Sequence, residues 1–200
     1  GDGSVPLRAA RALRAAGAWI SRYPQVVYAA DASPWQHALP WGDVTCKGNT
    51  LYLSVLQWPA SSTLYLPGFK GDIVATRLLR GQEGESVSWK KERSWIRFEL
   101  PPQAPETLVS IIEVELSSAP QADPTWGLDP EFRTEIQAEF AVVNDATKDS
   151  VRWMEKFGEW KHVTRVHQWQ AQGEAVWEVD VLVPGDYQVD LTYAGEGRLV

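Results

Sequence analysis

Cysteine is almost missing from these 200 residues, and the one present, Cys46, has no partner for a disulfide within the chain. It lies in a β-favouring run with no basic or histidine neighbour to lower its pKa, so it reads as a small strand residue rather than a nucleophile. Positive charge is also short. Lys and Arg number 19 against 26 Asp and Glu, a net −7, and no basic stretch offers the face that phosphate binding needs. No apolar run is long enough to span a bilayer as a helix.

Catalytic signatures are lacking too. There is no phosphate-binding Gly-rich loop, dinucleotide fingerprint, Gly-x-Ser-x-Gly elbow or His-Glu-x-x-His pair. The three histidines, His37, His162 and His167, are scattered. His162 and His167, five apart, fall on opposite faces of a strand. Zinc wants three or four convergent ligands, and Asp145 and Asp149 do not match a calcium loop, so no metal site is expected. No cofactor is called for.

Tryptophan is abundant, with eleven in all, beside an ordinary 44% hydrophobic and 22% charged content. An indole face suits the axial C–H face of a sugar ring, and it suits a protein core equally well. Trp19 on the first helix, and Trp58, Trp89 and Trp177 in strand patterns, are expected to be core. Trp95 shares a strand face with Arg97 and can stack with it. The carbohydrate-binding candidates are Trp35 and Trp41 in a Pro- and Gly-bearing loop and Trp160 near Gly158, with packing between elements as the competing role.

Residues 6–23 predict a helix, with Pro6 at its first position, Ser4 as a cap, and Ala9, Ala10, Leu13, Ala16, Gly17 and Ile20 on one close-packing face. Residues 25–31 read as a short strand. Two β-favouring runs then flank Gly48-Asn49, a tight hairpin signal, and the second arm from Thr50 is apolar at nearly every position, as in a strand covered on both sides. Further short strands are expected at 63–66, 73–79, 87–90, 94–100 and 108–116. Ile96, Phe98 and Leu100 face one way on theirs, and Ile112, Val114 and Leu116 do so on another. Many short strands joined by turn residues mean a sandwich or barrel. Residues 117–130, rich in Ser, Ala, Pro and Asp, read as an irregular linker. Beyond it, Ile136, Ala138, Phe140 and Val142 alternate, and Trp177, Val179, Val181 and Val183 lead through Pro184-Gly185-Asp186 to Tyr187, Val189, Leu191 and Tyr193, a second hairpin pattern.

Several of these stretches together carry a resemblance. Gly17-Ala18-Trp19-Ile20, Val26-Val27-Tyr28, Trp41-Gly42-Asp43-Val44-Thr45 and Leu51 to Pro59 follow in the order seen at the C-terminal end of glycoside hydrolase family 29 α-L-fucosidases, which residues 1–116 resemble. That family usually carries Gly-Thr where this chain has Ala29-Ala30. The stretch with His167-x-Trp169, Trp177 to Val181 and Pro184 to Ala194 is similar to galactose-binding-like modules attached to glycosidases.

The fold expected is mainly β: an N-terminal helix plus an antiparallel β-sandwich, then a second, partial β-sandwich unit. The resemblance implies that residues 1–30 are the last helix and a short strand of a catalytic barrel, 31–118 the C-terminal sandwich, 119–133 a linker and 134–200 part of an accessory module. It implies no catalytic residue here, because the nucleophile and acid/base of such retaining enzymes belong to the barrel. The chain opens on Gly1-Asp2-Gly3 without Met and reads as cut from something longer. The partners implied are the upstream barrel, a glycan, and a second copy paired through the partial module; the parent would be extracytoplasmic. The competing readings are a free-standing carbohydrate-binding protein and a purely structural β-protein.

Overall fold

The computed structural model describes residues 5–123, 125–154 and 160–193, with Trp160 described by its backbone alone. The chain is mainly β, with one long helix and several antiparallel sheets. It opens with α1 (Leu7–Arg22) and the short α2 (Pro24–Val27), followed by β1 (Gly42–Lys47) and β2 (Thr50–Val55). Then come β3 (Thr63–Leu66), β4 (Phe69–Lys70), β5 (Ile73–Arg80), β6 (Glu83–Ser86), β7 (Ser88–Glu92), β8 (Trp95–Glu99) and β9 (Ser110–Leu116). The remainder holds β10 (Gln121–Ala122), β11 (Trp126–Leu128), β12 (Val142–Asn144), β13 (Thr147–Met154), β14 (Trp160–His167), β15 (Glu174–Val176) and β16 (Val179–Val181).

The β1–β2 hairpin closes through Gly48-Asn49, with Lys47 opposite Thr50 and Gly48 at φ +57°, a value glycine adopts without strain. β2 lies inside a five-stranded sheet ordered β1-β2-β9-β5-β6, facing a three-stranded sheet ordered β3-β8-β7. Strand alternation fills the space between them. Leu51, Leu53, Val55, Ile112, Val114 and Leu78 come from one sheet, and Leu64, Leu66, Ile96 and Phe98 from the other, all 3% exposed or less. The outward side of β2 is covered as well, because Tyr52 packs with Tyr23, Val26, Leu79 and Ile111 in a second cluster. The apolar run of β2 therefore has the two-sided cover its composition requires.

Residues 25–31 depart from expectation. Pro24 starts a helical turn whose Tyr28 N–H donates to the Pro24 carbonyl at 2.9 Å, so Val26-Val27-Tyr28 is not a strand. Valine's preference for strands is overridden by the chain's need to drop Val26, 3% exposed, onto the sheet. Ala29 then takes φ +55°, the left-handed region where an L-residue is strained.

Helix α1 differs more. Pro6 is its N-cap, with ψ 137°, not its first helical residue, while Ser4 lies outside the described residues. No residue of the helix is buried, Leu13 is 67% exposed, and nothing approaches within 4 Å of a Cβ built on Gly17. The expected close-packed Ala/Gly face is open. The helix is held by its C-terminal end: the Trp19 indole donates to Val109 O at 2.8 Å, Arg22 pairs with Glu106 at 2.8 Å, and buried Tyr23 donates to Glu106 Oε1 at 2.6 Å.

Residues 117–130 are not irregular throughout. β10 pairs with β4, and β11 pairs in parallel with β16. A Cβ on Gly127 would lie 2.5 Å from Pro67 Cβ and 2.8 Å from the Trp95 ring, so only glycine lets β11 lie this close to the sandwich. Buried Asp129 accepts the Glu131 N–H at 2.9 Å and turns the chain so that Phe132 joins the main core. Polar composition hid these anchors, which depend on single residues.

The C-terminal half corrects two hairpin and strand expectations and adds a hairpin. Ala138–Phe140 is a 3₁₀ turn, so 136–140 is not a strand, although β12 begins at Val142. Residues 184–193 carry no regular structure, and Val189 is 87% exposed: an alternating pattern makes a strand only where a neighbour completes its ladder. The β13–β14 hairpin, paired from Thr147↔His167 to Met154↔Trp160, has no strong sequence signal because its residues are mostly polar and exposed.

Candidate functional site

The tryptophans divide by burial. Trp35 and Trp41 are 0% and 1% exposed, and their indole N–H groups donate to the carbonyls of Pro67 (2.6 Å) and Tyr65 (2.9 Å). Both loop residues are thus core, and an enclosed indole has no face to offer a sugar; the competing packing role is the one they play. Trp160 starts β14, and its side chain lies outside the described ones. Trp58 packs on the core and donates to Pro101 O at 3.0 Å, as its strand-like pattern suggested. Trp95 is also buried, at 1%: its ring meets Tyr65 edge-on and its N–H donates to Asp180 Oδ2 at 2.5 Å, while Ser94 Oγ donates to the same oxygen at 3.0 Å. Asp180 thereby pins β16 to the outer side of the three-stranded sheet. Trp89, expected in the core, is instead 40% exposed on β7, the outermost strand of that sheet.

Two side-chain groups join residues far apart in sequence. His37 stacks on Trp126 with ring centres 3.8 Å apart, and Phe140 meets both rings edge-on. This half-buried trio ties the loop before β1 to β11 and the 3₁₀ turn. On the second hairpin, Asp149 accepts from Arg165 Nε at 2.8 Å and lies 2.9 Å from His167 Nε2. The Arg165 guanidinium, and secondly His167, hold the Asp149 carboxyl below its ordinary range. Burial pushes the Asp129 carboxyl up, and burial with nearby Asp31 pushes the Cys46 thiol up, away from the thiolate a nucleophile needs. Among the described residues, no group of three or more His, Cys, Asp or Glu is placed to hold a metal ion, and no helix is long and apolar enough to cross a membrane.

The arrangement defines a β-sandwich domain with an N-terminal helix carried on one sheet and a smaller β unit fastened to the other. Solved structures similar in fold to part of this chain include α-L-fucosidases. The enzyme from Vibrio sp. strain EJY3 superposes with a TM-score of 0.52 at 21% identity over 77% of this chain. That from Bacteroides thetaiotaomicron, of glycoside hydrolase family 29, gives 0.51 at 24% identity over 58%. Isoenzyme 1 from Paenibacillus thiaminolyticus gives 0.50 at 24% over 58%. The resemblance to family 29 α-L-fucosidases drawn from the sequence motifs is therefore met in the fold. This chain spans only 26–28% of the length of those enzymes. No family model matches the chain, and no curated protein matches it.

Proposed function

We propose that the chain is the non-catalytic C-terminal portion of a family 29-type α-L-fucosidase, in which the sandwich braces an upstream catalytic barrel and the C-terminal unit holds carbohydrate near it. The observation that carries this reading is α1. A helix of 16 residues with none buried, fastened only at its last turn and exposing Leu7 and Leu13, gains little from the sandwich that bears it. Its open side suits a second domain, and the fold likeness to about a quarter of a fucosidase supports reading that domain as the catalytic barrel. The parent is read as extracytoplasmic. Exposed Val151, Trp153 and Val163 on the second hairpin supply a face through which two chains pair, to be followed by light scattering.

The test has two parts. The gene is expected to encode, ahead of Gly1, a barrel bearing a carboxylate pair, and the isolated chain is expected to hydrolyse no aryl α-L-fucoside. An upstream region without a barrel, or turnover that survives removal of host glycosidases, overturns the reading. A free-standing carbohydrate-binding protein is the second reading, favoured by the exposed indole of Trp89.

A further inference from the structure

Two connections meet at one end of the C-terminal unit. The turn from β12 to β13 passes through Asp145, and the link from β14 to β15 spans residues 168–173. Backbone bonds lash them together: the Gln170 N–H donates to the Asp145 carbonyl at 2.8 Å, and the Gly173 N–H to the Gln170 carbonyl at 2.9 Å. Thr147 Oγ1 adds a bond to Gln168 Oε1 at 3.0 Å. Each connection holds one L-residue in the left-handed region, Asp145 at φ +48° and Gln168 at φ +54°. Strain of this kind persists only where surrounding contacts impose it. The turn at Gln168 delivers the next residue, Trp169, onto Gly173. A Cβ built on Gly173 would lie 3.1 Å from Trp169 Cε3 and 2.7 Å from the Asp145 carbonyl oxygen, so the indole rests where only glycine leaves room. Trp169 is nevertheless 51% exposed, the most open of the described tryptophans. One side of the ring is backed by the chain, and the other faces solvent.

We infer that Trp169 and its loop form a platform for a neutral sugar ring, which stacks its C–H face on the outer side of the indole. This names the contact for the carbohydrate-holding role proposed for the C-terminal unit, and its ligand class rests on that reading. The chemistry of the loop fits it. Residues 168–173 carry no charged side chain, and their polar side chains are three amides, Gln168, Gln170 and Gln172. An amide both donates and accepts, as a hydroxyl does, so it can serve a polyol. An anion finds no counter-charge here, because residues 166–193 include five carboxylates and no Lys or Arg. A cation is held only weakly by one exposed ring and needs a cage of several, and among the described residues no second ring meets Trp169. Trp153, the other open indole of this unit, has a different setting. It continues the face of the paired Val151 and Val163, an apolar strip without amides that suits another protein surface. The Trp169 platform is open rather than enclosed, so the ring it holds can be one unit of a longer glycan.

The experiment follows the indole N–H signals of the ¹⁵N-labelled full chain during titration with L-fucose, D-galactose and lactose. Hexaproline is the competing ligand, since a proline ring also stacks on an indole. The Trp169 signal is assigned by its disappearance in Trp169→Phe. Expected is a saturable shift of that signal with at least one sugar, with a Kd on the order of 10 mM, the weak range of one ring on one aromatic face. The other indole signals should stay in place. Saturation transfer to the sugar should be lost in Trp169→Ala and kept in part by Trp169→Phe, because a phenyl ring still stacks. No saturable shift with any of the three sugars up to about 100 mM overturns the inference. So does a shift with hexaproline alone, or transfer undiminished in Trp169→Ala. A failed titration leaves the gene test of the barrel untouched, and a gene without a barrel leaves a sugar-dependent shift at Trp169 standing.

Discussion

Replacing Trp41 by alanine tests whether this loop tryptophan is a core element or an available ring. The indole is 1% exposed, donates to Tyr65 O at 2.9 Å, and sits on a residue whose own carbonyl accepts from both Leu56 and Gln57. A tryptophan side chain buries on the order of 200 Å², which at about 25 cal/mol/Å² corresponds to about 5 kcal/mol. Alanine keeps about 1 kcal/mol of that, and the Tyr65 carbonyl left without its donor costs about 1 kcal/mol more. The expected loss is about 4–5 kcal/mol, comparable with the entire stability of many domains. Trp89→Ala is the control. Its ring is 40% exposed beside an open cleft and leaves no closed cavity, so about 1–2 kcal/mol is expected. Both are read from urea titrations at 25 °C followed by far-UV circular dichroism, which avoids the confusion of eleven fluorophores. A cost below about 1.5 kcal/mol for Trp41→Ala would refute the assignment of this loop to the core.

Ala29→Gly should stabilise the chain by about 0.5–1 kcal/mol, because the left-handed φ costs an L-residue about 1–2 kcal/mol and the added freedom of glycine when unfolded costs back less; a loss in urea midpoint would contradict this. Leu13→Asp should change stability by no more than about 0.6 kcal/mol, its helix-propensity cost, since the side chain is 67% exposed; a penalty of several kcal/mol would show that the α1 face is packed. The Asp149 carboxyl should titrate below the ordinary value of 3.8 when its carboxyl carbon is followed by NMR, and Arg165→Ala should move the midpoint up. A depressed carboxylate contributes stability above its unfolded pKa and loses it as pH falls through the lower folded value, so the acid side of the stability profile should flatten in that variant.

The sandwich was legible in the order of residues because its signals are local and repeated. Alternation in Ile96-Arg97-Phe98-Glu99-Leu100 and Ile112-Glu113-Val114-Glu115-Leu116 chooses inward and outward faces by itself, and Gly48-Asn49 marks the hairpin turn between two β-favouring runs. The motifs around Trp41 and Leu51 to Pro59 were enough to point to fucosidases. What an element rests on was decided only in three dimensions. An Ala- and Leu-bearing face looks the same whether a partner covers it, as nothing covers Leu13, or not. Eleven indoles carry no mark of which ones an opposite sheet will enclose: Trp35 and Trp41 sit in a loop yet are core, and Trp89 sits in a strand yet is 40% exposed, on β7 at the edge of its sheet. The anchoring of residues 117–132 turns on Gly127 lying against Pro67 and Trp95, a contact between segments whose spacing along the chain says nothing of their meeting. Local pattern sets which way a side chain points; the distance to the next layer sets what, if anything, it meets there.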